Sequence, residues 1–212
     1  MLERGANEPR VYVVDDEADV RDSVTLLLRS VALRTATFAD AAGFLDAYRP
    51  ETRPACLLTD LRMPGMCGLE LFLALRQRGC RMPAVIMTGH GEVGVAVRAM
   101  KAGVFDFIEK PFRGQDLIEV VQQALRRCSQ NIDEAASRRE VEVRAATLTP
   151  REREVMALVV RGERNKAIAR ELDLSVRTVE LHRARIMEKL GVRTLSDLVR
   201  MGMMLPEAET ES

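Results

Sequence analysis

Val11-Tyr12-Val13-Val14-Asp15-Asp16 decides the reading of the N-terminal half: four apolar residues stop at two adjacent carboxylates. A run this short, without alternation, suits a strand buried on both faces. The pattern recurs. Residues 55–59 read as a strand ending at Asp60, 84–87 as one ending at Thr88, and 105–108 as one ending near Lys110-Pro111. Residues 35–38 supply another strand. Helical patterns lie between. Residues 20–31 place Val20, Val24, Leu27, Leu28 and Val31 on one face. Asp40 suits the N-cap of a helix through Phe44, Leu45 and Tyr48, with Pro50 past its end. Residues 69–75 and 92–100 are helical, the latter stopped at Gly103, and a further helix starts at Gln115. Such alternation predicts an α/β fold, a doubly wound five-stranded parallel sheet with helices on both faces.

Residues 115–147 contain no Gly or Pro, so the last of these helices can extend into a linker over 128–146. Its tail is rich in Glu, Arg and Ala and has too few apolar positions for a coiled-coil seam. A solvated helix and a flexible joint both fit. Thr149-Pro150-Arg151-Glu152 then opens a second domain, with Thr149 as N-cap, Pro150 at the first helical position and Glu152 closing a capping box. Four short helices follow, giving a small all-α domain over 147–205 beside an α/β domain over 10–127. Residues 1–9 read as a polar lead-in, and the acidic tail after Pro206 as disordered.

The 212 residues carry zero net charge, but unevenly. Residues 1–125 hold 15 basic and 17 acidic side chains, and 146–205 hold 12 and 8. A mildly basic C-terminal part is compatible with nucleic acid, though charge alone also describes a solvated surface. Cys56, Cys67, Cys80 and Cys128 form no C-x-x-C pair, which argues against zinc and for free thiols in a reducing cytosol. A signal peptide and an apolar stretch approaching the ~18 residues of a membrane span are both missing. The expectation is a soluble, cytoplasmic protein without membrane partners.

Asp15, Asp16, Asp60, Thr88 and Lys110 all fall where strands end. In a doubly wound sheet, ligands bind beyond the carboxyl ends of the strands. Any one Asp there is ordinarily a turn residue or helix cap. Three carboxylates converging with a hydroxyl and an amine is a different matter. They repel unless a cation joins them, and a hard divalent ion such as Mg²⁺ meets that need with oxygen ligands and retained waters. Such an ion neutralises charge on a transferring phosphoryl group. Lys110 adds a point charge, Thr88 a donor, and one carboxylate can act as nucleophile to form an acyl phosphate.

These residues sit in V-V-D-D-E, L-L-T-D-L-R-M-P-G-M, V-I-M-T-G-H-G and F-D-F-I-E-K-P-F, in that order. Over about residues 10–125 the chain resembles the receiver (CheY-like) family, of flavodoxin-like fold, and within it the FixJ type. The resemblance implies that Asp60 is the phosphoacceptor. It also implies that Asp16, Asp60 and the backbone carbonyl of Arg62 bind Mg²⁺, with Asp15 assisting, commonly through water. Lys110 would pair with the phosphoryl oxygens. Thr88 would hydrogen-bond to them and move on activation, with Phe107 as its aromatic switch partner; a strand Phe is as often plain core. His90 is assigned no chemistry. Cys67 stands where relatives often carry Asp, and Gly94 where they often carry Pro, which would loosen the start of the fourth helix.

The second domain has helix-turn-helix arithmetic: helix 166–172, turn 173–175, helix 176–190. Val179, Ile186 and Leu190 share a face that should be buried, while Arg177, Glu180, Leu181, Ala184 and Arg185 lie opposite. That opposite face could enter a major groove, with Lys166, Thr178, Arg183 and Lys189 on phosphates. Periodicity alone favours a solvated amphipathic helix. L-T-P-R-E-R-E-V, G-E-R-N-K-A-I-A-R-E-L and L-S-V-R-T-V-E-L-H-R-A-R-I-M-E-K-L-G-V resemble the LuxR-type (GerE-like) helix-turn-helix family. The resemblance implies that Glu180, Leu181 and Ala184 face bases, Glu180 accepting from cytosine or rejecting other bases.

Together these resemblances imply a FixJ/NarL-class two-component response regulator. A histidine kinase would phosphorylate Asp60. Double-stranded DNA, RNA polymerase and a second copy of the chain would be its other partners. The chain is expected to be a phosphoacceptor and transcription factor rather than an enzyme, with slow self-dephosphorylation left open. A haloacid-dehalogenase-type enzyme would place its nucleophile in a D-x-D motif after the first strand, and a flavodoxin-like FMN binder would want a Ser/Thr/Gly-rich loop there. A quorum-sensing regulator would have no use for the strand-end carboxylates. A vestigial receiver is disfavoured by the complete set of five residues.

Overall fold

The computed structural model describes residues 8–50, 52–89 and 93–205. It contains two compact units, which part between Ile132 and Asp133. The positions of His90 and Glu92, the start of the lead-in and the acidic tail lie outside the described residues.

In the first unit, β1 (Arg10–Val14), β2 (Arg34–Phe38), β3 (Ala55–Asp60), β4 (Ala84–Thr88) and β5 (Asp106–Glu109) form one sheet in the order β2-β1-β3-β4-β5. Every pairing is parallel. The unbroken apolar character of β1 has a direct cause. Val11 and Val13 pack into one core with Val24, Leu28, Leu117 and Val121, while Tyr12 and Val14 pack into the other with Phe44, Leu71 and Phe72. Successive side chains point to opposite faces, and helices cover both. The helices are α1 (Ala18–Ser30), α2 (Ala41–Ala47), α3 (Gly68–Gln77), α4 (Val93–Lys101) and α5 (Gly114–Ala145), of which the residues from Asp133 onward belong to the second unit.

The caps follow the local chemistry. Asp40 accepts from the Gly43 amide at 2.7 Å, as its position before α2 suggests. Gly103 turns the chain after α4 with φ +89°. The last strand spans Asp106–Glu109, one residue later than its apolar run implies, and the Phe105 amide just before it already bonds the Ala84 carbonyl of β4. After residue 128, α5 continues to Ala145.

The second unit packs α6 (Pro150–Val160), α7 (Asn165–Glu171), α8 (Val176–Leu190) and α9 (Leu195–Met204) around Val155, Leu158, Ile168, Val179, Ile186, Leu190 and Leu198. Thr149 and Glu152 form the capping box reciprocally. Ser175 caps α8 through the Thr178 amide, and Gly191 ends it in the left-handed region at φ +67°. That conformation is nearly free for glycine and costly for other residues.

Candidate functional sites: the acidic crevice and the exposed face of α8

The chain leaves β1 for β2 on one side of the sheet and β3 for β4 on the other. A crevice opens beyond the carboxyl ends of strands at such a switch point. Asp15 follows β1 and Asp60 ends β3, so both carboxylates enter it; β1 and β3 are neighbours in register at Val14 and Thr59. Lys110 follows β5 and reaches across: its Nζ donates to Asp60 Oδ1 at 2.5 Å and Asp15 Oδ2 at 2.8 Å. Backbone amides take the remaining oxygens. Asp15 Oδ1 accepts from the Glu17 N–H at 2.9 Å, and Asp60 Oδ2 from the Arg62 N–H at 2.6 Å.

The electrostatics are unequal. Burial lifts the Asp60 carboxyl above its ordinary range and Asp15 pushes the same way, against the pull of Lys110 and the Arg62 amide. Burial works against the Lys110 ammonium, but its bonds to Asp15 and Asp60 outweigh that and raise its pKa. Asp60 is therefore a buried carboxylate with one shared cation, poised where charge is costly.

The other expected residues are placed as follows. Asp16, next in the chain after Asp15, is exposed. Thr88 is buried at the end of β4; its hydroxyl donates to the Gly89 carbonyl at 3.3 Å, and its own carbonyl receives the Lys110 amide. Phe107 is half-buried on β5 against the core of Tyr12 and Phe72. Among the described residues no three His, Cys, Asp or Glu side chains close around a common point. The oxygens of Asp16, Asp60 and the Arg62 carbonyl still suit in kind a hard divalent ion that keeps several waters.

Three contributors escape a motif reading. A Cβ on Gly68 would lie 2.2 Å from the Asp60 carbonyl oxygen, so only glycine lets α3 begin this close to Asp60. Cys67 and Glu70 form a capping box beside it, with sulfur in the place of Ser or Thr oxygen. The Cys67–Glu70 spacing was visible, but a thiol is a weak acceptor and does not announce itself. Arg21 Nη1 donates to the Asp15 carbonyl at 2.6 Å, a pairing the sequence does not signal.

On the second unit, Val179, Ile186 and Leu190 are fully buried, while Arg177, Glu180, Leu181, Ala184 and Arg185 are exposed on the other face of α8. Leu181 leaves half its surface in water. Lys166 is exposed on α7, and the Thr178 hydroxyl meets Ser175 at 2.7 Å. Arg183 donates to Asn165 on α7. Lys189 is engaged inside the unit, giving hydrogen bonds to Glu152 Oε2 at 2.6 Å and the Thr147 carbonyl at 3.1 Å.

Comparison with known proteins identifies both units. Residues 11–122 match the response regulator receiver domain, and 146–202 the bacterial regulatory proteins of the luxR family. The chain is 43% identical to the transcriptional regulatory protein FixJ of Bradyrhizobium diazoefficiens, over 91% of this chain and 94% of that one. It is 45% identical to FixJ of Azorhizobium caulinodans, over 92% of each. Among solved structures, the response regulator StyR superposes with a TM-score of 0.78 at 40% identity, covering 93% of this chain and all of that one. Full-length FixJ from B. japonicum gives 0.57 at 40% identity, covering 93% and 97%.

Proposed function

Since the chain belongs to the FixJ-type two-component response regulators, with a receiver domain and a LuxR-type DNA-binding domain, we propose that phosphorylation of Asp60 by a histidine kinase controls its binding to DNA. The observation that carries this reading is the reach of Lys110 to Asp15 and Asp60. One cation joins Asp15 and Asp60 from different strands, and burial raises the Asp60 carboxyl.

A carboxylate oxygen of Asp60 forms the new O–P bond as the P–N bond of the kinase's phosphohistidine breaks and imidazole leaves. Lys110 then turns from Asp60 Oδ1 to the phosphoryl oxygens, and the Thr88 hydroxyl to the same group. Mg²⁺ would be held by Asp16, Asp60 and the Arg62 carbonyl, with Asp15 behind them; when bound it neutralises charge on the phosphoryl oxygens. The inward movement of Thr88 biases the α4–β5 surface, including Phe107, between two states. A few kcal/mol of differential interaction suffices for such a switch.

The output is a dimer on two DNA half-sites. Arg177, Glu180, Leu181, Ala184 and Arg185 face base edges, and Lys166, Thr178 and Arg183 approach phosphates. Lys189 joins that phosphate set only by leaving Glu152. RNA polymerase in the cytoplasm is the downstream partner. No described helix is long and apolar enough to cross a membrane.

The test is labelling with radioactive acetyl phosphate. The wild-type chain takes up label in Mg²⁺ and Asp60→Asn takes up essentially none. Undiminished labelling of Asp60→Asn would sink the assignment of the acceptor.

A further inference from the structure

The C-terminal end of α8 is held by residues that precede the luxR-family match at residue 146. An α-helix ends with carbonyls that have no partner within it, at the negative end of its dipole. At the end of α8, the Gly191 and Val192 amides return to the Glu188 and Met187 carbonyls. The Leu190 carbonyl is taken instead by a side chain from α5: Arg144 Nη1 donates to it at 2.9 Å. The same guanidinium is steadied by Glu140 one turn earlier, at 2.6 Å. Arg144 also lies against the left-handed turn, where a Cβ on Gly191 would approach Nη1 to 3.1 Å.

The surrounding contacts make this corner part of the DNA-binding unit. Residues from Asp133 onward belong to that unit by their contacts. Val141 is buried, and Ala145 packs into the core with Ile186 and Leu190. The Thr147 hydroxyl donates to the Arg144 carbonyl at 2.7 Å, and the Thr147 carbonyl accepts from Lys189. Arg144 and Lys189 thus cross: α5 reaches the last carbonyl of α8, and α8 reaches the chain just after α5.

We propose that the last turns of α5 are a clamp for the recognition helix and that Arg144 is a positioning residue for sequence-specific DNA binding. The proposal rests on α8 being the DNA-reading helix. Arg144 reads no base. It fixes the angle at which Arg177, Glu180, Leu181, Ala184 and Arg185 are presented. Phosphate contacts tolerate small rotations of a helix, whereas base-edge hydrogen bonds do not. Losing the clamp therefore lowers discrimination more than general affinity.

The experiment uses the full chain, phosphorylated, with a random-sequence duplex library as probe. The readouts are enrichment of the selected sequences and affinity for sheared duplex DNA. Arg144→Ala should cut enrichment about tenfold or more while non-specific affinity stays within about twofold. Arg144→Lys, which keeps a donor for the Leu190 carbonyl, should recover part of the loss. Arg138→Ala removes the same charge from an exposed site on the same helix and should change neither readout. Hydrogen exchange at the Gly191 and Val192 amides should quicken in Arg144→Ala only. Wild-type enrichment in Arg144→Ala, unchanged exchange at those amides, or equal losses in Arg138→Ala and Arg144→Ala would each overturn the proposal. A wild-type chain that enriches nothing, or keeps its selected sequences in Arg185→Ala, would overturn the α8 reading beneath it.

Discussion

Two lysines in this molecule each hold a buried carboxylate, with opposite results. Lys189 holds Glu152 in the DNA-binding unit, and the Glu152 carboxyl is pulled down to about 2, chiefly by that hydrogen bond and then by Thr149, against a burial that works the other way. Lys110 holds Asp60 in the receiver unit, yet the Asp60 carboxyl is raised. The difference is arithmetic. Glu152 has a lysine to itself and a capping amide, the Thr149 N–H at 2.8 Å. For Asp60 burial is the largest influence and outweighs the hydrogen bond from Lys110, and the negative charge of Asp15, which shares that lysine, adds to it. A satisfied pair fixes structure. A shared cation leaves a carboxylate that gains when further positive charge or a neutralising reaction arrives.

The contrast is broken most directly at Glu152, which is 3% exposed. Removing one partner of a buried pair costs about 3–5 kcal/mol, and the partial exposure of Lys189 places Glu152→Ala near the lower end. Calorimetry should show that loss in the C-terminal unit alone. Both tyrosines, Tyr12 and Tyr48, lie in the receiver unit and there is no Trp. Their fluorescence should therefore melt unchanged in Glu152→Ala.

Acid separates the two sites next. A lowered folded pKa means stability that is present above the ordinary Glu value of about 4.3 and lost as pH falls toward 2. The C-terminal unit should lose about 2 kcal/mol across that window, and Glu152→Gln should flatten the dependence. An unchanged slope in Glu152→Gln would place the acid sensitivity elsewhere.

Mg²⁺ then sharpens the comparison from the receiver side. A ligand of the native state at ten times its Kd stabilises by about 1.4 kcal/mol. Tyrosine-detected unfolding should shift by that amount with Mg²⁺ in the wild type, and hardly at all in Asp16→Asn. The calorimetric transition of the C-terminal unit should not move in either.

The sheet was legible because strands buried on both faces leave no choice of period: β1, β3 and β4 read as apolar runs, and their ends deliver Asp15, Asp60 and Thr88. The caps at Asp40 and Thr149 were legible for the same local reason, one side-chain oxygen three residues from one amide. What stayed hidden depends on distance in space. Nothing in the sequence says that Arg21 reaches the Asp15 carbonyl, or that Lys189 turns inward to Glu152 rather than outward to a phosphate. Gly68 looked like any glycine, until the 2.2 Å approach to Asp60 gave it a reason.

The smallest effect is the most discriminating. Because the folded Asp60 pKa is raised, its contribution to stability is complete below the ordinary Asp value of about 3.9 and is lost as pH rises through the folded pKa. Ionised Asp60 is thus a cost to the fold at neutral pH. Asp60→Asn removes that cost and also a hydrogen-bonded charge from Lys110, so the two changes partly offset. The net result should be a receiver unit stabilised by about 1 kcal/mol or less at pH 7, with a flatter dependence on pH above 4. Urea unfolding followed by tyrosine fluorescence at pH 4.5 and 7 would measure it. A loss as large as that of Glu152→Ala would mean that Lys110–Asp60, like Lys189–Glu152, is a pair the fold depends on. The distinction between a site held ready and a site held closed would then fail.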